Sequence, residues 1–272
     1  MNSTKEMDVA TLQGEKRKVY EVLKSIETGA TSPVTYINAD HYTQHNLGAG
    51  DGLAGFGELL GTLANYPDPA KVNVVRIFQD GDYVVAHTEY NFFGEKTAFD
   101  IFKFVDGQIV EHWDNLQAKP KRENPSGRTM TNGPTEITDL SKTTENKVLV
   151  EQFFTEVLIG QQFDQLPTFF EGDRYIQHNP AIADGLSGLN EGLSWMAENQ
   201  ITMKFDRIHK VLGEGNFVLV VSEGLYGANG GVPTSFYDLF RVQDGKIAEH
   251  WDVIEPIADP ATWKNQNGKF NF

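Results

Sequence analysis

Between residues 145 and 170 the apolar positions recur at helical spacing. Val150, Phe153, Phe154, Val157 and Leu158 share one side, which predicts an amphipathic helix. "DGLSGLNEGLSWMAEN" (184–199) predicts a shorter one, with Asp184 as its N-cap. The period then changes. Residues 202–212, 217–226 and 234–254 are strand-like runs separated by glycine turns. The last run is split by "QDGK" (243–246), and "VDGQ" (105–108) splits a similar run earlier in the chain. Asp-Gly between alternating segments marks a tight hairpin. Helices followed by antiparallel hairpins predict an α+β domain, with helices on one face of a curved sheet.

The pattern is written twice. "YTQHN" (42–46) returns as "YIQHN" (175–179), and "DGLAG" (51–55) as "DGLSG" (184–188). "DGDYVVAHTE" (80–89) is echoed by "EGNFVLVVSE" (214–223), and "FDIFKFVDGQIVEHWD" (99–114) by "YDLFRVQDGKIAEHWD" (237–252). The offset drifts only from 133 to 138, so the repeating unit is a whole domain and the drift is loop insertion. The expected division is a first domain over 1–118, a connector over 119–142, and a second domain over 143–272 that includes the C-terminal tail. The connector lies in a stretch rich in Pro, Gly, Ser, Thr and Asn. The tail, "ATWKNQNGKFNF" (261–272), has no evident counterpart after the first copy, and its aromatic residues are expected to pack on the body of the protein.

Composition narrows the function classes. The 272 residues are 39% hydrophobic, enough for real cores. The net charge of −15 repels phosphate backbones and anionic lipid, so neither nucleic acid nor a membrane is an expected partner. With no cysteine there is no disulfide, thiolate metal site or Cys nucleophile. The N-terminal residues carry no apolar run of signal-peptide type, so a cytoplasmic location is expected. There the Asn2-Ser3-Thr4 sequon would have no role. "GDGLAG" (50–55) fits a dinucleotide fingerprint but lacks the preceding buried strand. His41 and His45 have i, i+4 spacing without a convincing helix, and no metal is expected.

The chemistry comes from charges on the apolar side of strands. Phe236, Asp238, Phe240 and Val242 share one face, as do Ala98, Asp100, Phe102 and Phe104. A carboxyl aimed into apolar space is costly to ionise, which suits a general acid or base. The opposite face, with Arg241 and Lys103, is expected to be wetter. Across the hairpin, Ala248, His250, Asp252 and Ile254 share one face, and Ile247, Glu249, Trp251 and Val253 the other. Asp238 with His250, and Asp100 with His112, are therefore candidate proton-transfer pairs. Which face of the last strand turns inward is left open, because Trp251 competes for the core. Trp251 and Trp113 are candidate faces for a ligand, and His178, Asn179, His45 and Asn46 are candidates for orienting a substrate oxygen at the rim. Glu249 and Asp252 are expected to be solvated or paired with basic side chains.

"YIQHNP", "DGLSG" and "FYDLFRVQDGKIAEHWD" resemble the SnoaL-like polyketide cyclases, within the superfamily of nuclear transport factor two and ketosteroid isomerase. The resemblance implies two tandem cone-shaped α+β domains, each a curved antiparallel sheet wrapped around a pocket and closed by helices. It places the acid/base aspartate on Asp238 and, by the repeat, on Asp100. It implies no metal and no organic cofactor. It also implies that the halves pair as an intramolecular pseudo-dimer, with further homodimerisation open. The expected activity is cofactor-free acid/base chemistry on a small, largely apolar carbonyl compound: cyclisation, isomerisation or dehydration. The alternative is a non-catalytic small-molecule-binding or scaffold protein of the same fold.

Overall fold

A computed structural model describes residues 8–272; the Asn2-Ser3-Thr4 sequon lies outside them. The chain divides into two compact units. One contains Lys119–Ile257, and the other contains the described residues up to Ala118 together with Ala258–Phe272. The C-terminal tail thus belongs to the unit of the first repeat, and the connector to that of the second, which differs from the division expected from sequence.

The first-repeat unit runs α1 (Gly14–Thr28), β1 (Thr43–Gln44), α2 (Gly52–Ala64), β2 (Lys71–Asp80), β3 (Tyr83–Asn91), β4 (Glu95–Val105) and β5 (Gln108–Ala118). The second runs α3 (Thr143–Phe153), a π-helical turn (Phe154–Ile159), α4 (Leu166–Phe169), β6 (Ile176–Gln177), α5 (Gly185–Glu198), β7 (Ile201–Glu214), β8 (Phe217–Ala228), β9 (Val232–Gln243) and β10 (Lys246–Pro256). Both sheets have the same topology, β1-β5-β4-β3-β2 and β6-β10-β9-β8-β7. The two-residue strands β1 and β6 pair parallel to β5 and β10, and the long strands are antiparallel. At the two Asp-Gly hairpins, Asp106 and Gly107 have φ of 50° and 74°, and Asp244 and Gly245 have φ of 53° and 72°. Two left-handed residues in a row give the turn twist that continues the strands' own twist.

One sheet face carries the helices. Val19, Val22, Leu23 and Ile26 of α1 share an apolar cluster with Val84, Ala86, Phe102 and Phe104. Val150, Phe153, Phe154 and Val157 do the same with Val218, Val220, Phe236 and Phe240. The helix predicted over 145–170 is therefore present but interrupted. It widens into the π turn after Phe153 and stops at Gly160, and Leu166–Phe169 forms a separate turn. Asp184 does precede α5, but its carboxylate makes no cap bond. It accepts from the Gln177 N–H at 2.9 Å and from the Arg128 guanidinium at 2.7 Å.

The second sheet face is not wet. Trp113, Trp251, Leu219, Leu239 and Tyr237 are fully buried. In the second unit the connector lies along this face: Trp251 Nε1 donates to the Asn132 carbonyl at 2.9 Å, and Asn124 Nδ2 donates to the carbonyls of Gln177, Asn179 and Ile182 at 2.7, 3.3 and 3.0 Å. In the first, the tail does the same work: Trp113 Nε1 donates to the Asn271 carbonyl at 3.0 Å, and Asn265 Nδ2 to those of Asn46 and Ala49 at 2.7 and 3.0 Å. Asn46 and Ala49 are the repeat equivalents of Asn179 and Ile182. The tail therefore has a counterpart after all, the connector segment around Asn124. Each repeat is followed by a strap that seals the sheet of the other repeat.

Candidate active site

The β9–β10 pairing sets Asp238 directly opposite Asp252, and His250 opposite Phe240. All three polar side chains point to the helix-covered face. There they form one end of a pocket of about 100 Å³, well above the ~10–15 Å³ that a single water needs. The rest of the lining is apolar, including Val157, Leu166, Leu189, Met196, Met203 and Phe205. Tyr175, Gln177 and Asn179 complete the polar end.

The hydrogen bonds fix where one proton sits. The backbone N–H of Asn179 donates to Gln177 Oε1 at 3.0 Å. An N–H can only donate, so that Gln177 atom is the oxygen. The same oxygen lies 2.9 Å from His250 Nδ1, which must then carry a hydrogen. His250 Nε2 faces Asp238 Oδ1 at 3.0 Å, and these two atoms share a single proton. Asn179 is fixed in the same way. Its Oδ1 accepts from the Ala181 N–H at 2.9 Å, so its Nδ2 is the donor to Asp252 Oδ2 at 2.6 Å. Two buried carboxyl oxygens of this site accept no hydrogen bond, Asp238 Oδ2 and Asp252 Oδ1; in the first unit Asp114 Oδ1, the repeat of the latter, accepts none either.

Burial raises the pKa of Asp238 above the usual carboxyl range, and the His250 contact offsets only part of this. Burial also raises Asp252, with a further push from the Asp238 charge; His250 and Asn179 oppose it, and the result is about 6. A native carboxyl with a pKa of about 6 against 3.8 holds its proton longer than the unfolded chain does. Stability therefore falls as pH rises between about 4 and 6, by about 3 kcal/mol for a difference of this size. Asp252→Asn removes that penalty. Denaturation is expected to show the variant up to about 3 kcal/mol more stable than wild type at about pH 8, with the gain vanishing near about pH 4. An equal shift at both pH values would contradict the assignment.

The first unit repeats the arrangement. His112 Nε2 lies 3.3 Å from Asp100 Oδ1, His112 Nδ1 lies 3.1 Å from Gln44 Oε1, and Asn46 Nδ2 donates to Asp114 Oδ2 at 2.7 Å. Asp238, His250 and Asp252 each offer a ligand atom within 4.8 Å of the others, as do Asp100, His112 and Asp114. These are the groups that could hold a cation, if His250 or His112 released its carboxylate.

Strand alternation across the hairpins thus brings Asp238 to His250 and Asp100 to His112. Four other candidates lie elsewhere. His178 stacks on Trp251 at 4.7 Å, and His45 on Trp113 at 4.5 Å, on the strap-covered face. His178 Nδ1 donates to the Thr129 carbonyl at 2.8 Å and its Nε2 meets Glu249 at 2.8 Å. His45 Nδ1 donates to the Gly268 carbonyl at 2.7 Å. Period-two alternation explains this: β6 and β10 send neighbouring residues to opposite faces, so His178 parts from Gln177, and Trp251 from His250. Asn179 and Asn46 do stay at the polar end, but they orient Asp252 and Asp114. Asp252, expected to be solvated or paired with a basic side chain, is instead 2% exposed and held by Asn179, because its strand face is covered by the helices; its repeat Asp114, Gln177, Gln44 and the buried Tyr175 and Tyr42 were not among the candidates. The signal was present, since Asp252 shares a strand face with His250. Glu249 is indeed paired with a basic residue, Arg241, but it is buried.

Residues 150–250 match the family model of the SnoaL-like domain. The second half of this chain is a SnoaL-like domain. The first half repeats its sequence phrases and its sheet topology, so the fold is a tandem pair. Solved structures with similarity to the chain include an LEH-like epoxide hydrolase of M. tuberculosis, 23% identical with a TM-score of 0.33, covering 42% of this chain and 85% of that one. A protein with a cystatin-like fold from Xanthomonas campestris is 22% identical with a TM-score of 0.34, over 44% and 98%. IdmH from Streptomyces antibioticus, a proposed polyketide cyclase, is 21% identical with a TM-score of 0.34, over 39% and 93%. No curated protein matches the chain. Among the described residues no helix is long and apolar enough to cross a membrane.

Proposed function

We propose that this protein is a cofactor-free acid/base enzyme that moves protons on a small, largely apolar carbonyl compound, with Asp238 as the base and His250 as its partner. The observation that carries this reading is the pair of unpartnered carboxyl oxygens, Asp238 Oδ2 and Asp252 Oδ1, at the polar end of an apolar pocket. A carbonyl compound seated there places its oxygen beside Asp252 and its α-carbon beside Asp238. The Asp238 carboxylate, held by the His250 imidazolium, takes the α-proton. Asp252, in its acid form, gives its proton to the carbonyl oxygen. The product of this step is a neutral enol. Returning a proton to another carbon is isomerisation, and attack of the enol carbon on a second carbonyl is an aldol closure. Carboxyls whose pKa is raised by burial make both transfers accessible.

The test needs no knowledge of the natural substrate. 2-Tetralone is flat and apolar, has one ketone, and carries acidic α-protons. In D2O the protein is expected to speed α-proton exchange above the buffer rate, as followed by NMR. Saturable binding of 2-tetralone without any exchange would favour the non-catalytic, ligand-binding reading.

A further inference from the structure

We infer that the two halves have divided the work: the second half alone admits the carbonyl ligand, and in the first half Tyr90 and Thr88 seal the equivalent carboxyl. This rests on the function proposed above.

The two dyads are alike up to the second oxygen of the carboxyl. Asp100 stands across the sheet from Ala86, and Asp238 from Val220. Two residues further along the neighbouring strand stand Thr88 and Ser222, and four residues further Tyr90 and Gly224. Thr88 Oγ1 donates to Asp100 Oδ2 at 2.6 Å, and the Tyr90 hydroxyl donates to the same oxygen at 2.9 Å. With His112 on Oδ1, both oxygens of that carboxyl are engaged, and Oδ2 already accepts two hydrogen bonds. Burial, with the Asp100 charge beside it, holds the Tyr90 hydroxyl protonated, so it remains a donor. In the second half the smaller Ser222 leaves its hydroxyl unpaired, Gly224 supplies no hydroxyl, and Asp238 Oδ2 stays free.

Gly224 could not be replaced by a tyrosine within the same backbone. A Cβ built there would fall 1.8 Å from the Lys204 carbonyl oxygen. Strand β7 closes on this point where its register slips between Phe205 and Arg207. The helix side has diverged too. The first half places a regular α1 over its sheet, whereas in the second the π turn sends Val157 and Leu158 into the pocket wall. Single π turns inside helices recur at functional sites. The ligand that fits is a flat apolar ring system with one oxygen, turned toward Asp238 and Asp252.

2-Naphthol is a stable mimic of such an enol and serves as the probe. Two variants fill one half each: Leu193→Trp in the second and Leu60→Trp, its repeat equivalent, in the first. Both positions are half-buried helix residues, and circular dichroism checks that each variant folds. Calorimetry on the full chain is expected to find one naphthol per chain. Methyl signals of Met196 and Met203, which line the pocket, are expected to shift on titration. Leu193→Trp should weaken binding at least about tenfold, the loss of more than about 1.4 kcal/mol, and Leu60→Trp should leave it unchanged. Two sites per chain, or loss of binding only in Leu60→Trp, would overturn the division of work and leave the proposed function standing. No binding to either half would overturn both.

Discussion

Asp238→Asn is expected to lower the rate of α-proton exchange by about 10²–10⁴-fold, the usual range for a positioned acid or base. The amide has the shape of the carboxyl and can still meet His250 Nε2, which lies 3.0 Å from Asp238 Oδ1 in the native pocket. It cannot take up a proton from carbon. The native carboxyl is 2% exposed, and its pKa is raised by burial, so the ionised form is already disfavoured there. The amide lacks that cost, and the variant should be at least as stable as wild type. Loss of exchange with an unchanged thermal transition separates a catalytic role from a structural one. Full activity in a folded variant would remove Asp238 from the mechanism.

A second large effect is expected on the opposite sheet face. Glu249 is 1% exposed and accepts from Arg241 Nε at 2.7 Å, while its other oxygen meets His178 Nε2 at 2.8 Å. Glu249→Ala leaves the guanidinium of Arg241, itself mostly buried, without its counter-charge. Breaking a buried pair from one side costs about 3–5 kcal/mol. The repeat equivalent, Glu111, pairs with Lys103 at 2.6 Å, but its side chain is 22% exposed and the lysine's is 29% exposed. Water screens that pair, and Glu111→Ala should cost at most about 1 kcal/mol. Chemical denaturation of the two variants checks the contrast. Equal losses would mean that burial does not set the difference.

Most of the architecture was legible because it rests on local rules. The Asp-Gly hairpins, the strand runs and the duplicated phrases depend on turn chemistry and period, which a sequence displays directly. Asp238 met His250 for the same reason: alternation plus a tight turn fixes which side chains are neighbours. Asp252 was expected to be solvated or paired with a basic side chain although it alternates with His250. A strand buried on both faces has no polar side to mark the outside, and Trp251 and His250 compete on equal terms for the interior. What buries Trp251 is the connector, and hydrophobicity could not reveal that segment as structural. It docks through the amide of Asn124, just as the tail docks through Asn265. Polar residues that spend their hydrogen bonds on another segment's carbonyls look the same in sequence as a solvated linker. The π turn was hidden too, because a wider helix keeps Phe154 and Val157 buried as an α-helix would.

The proposed chemistry depends on carboxyls whose pKa is raised by burial inside an apolar pocket. Carbon-13 NMR of aspartate side-chain carboxyls across pH, with Asp252→Asn and Asp238→Asn used for assignment, reads this without any ligand. The predicted result is an Asp252 titration near about 6, with Asp238 also above the ordinary aspartate value. Both signals titrating at or below about 4, as for solvated aspartates, would contradict it.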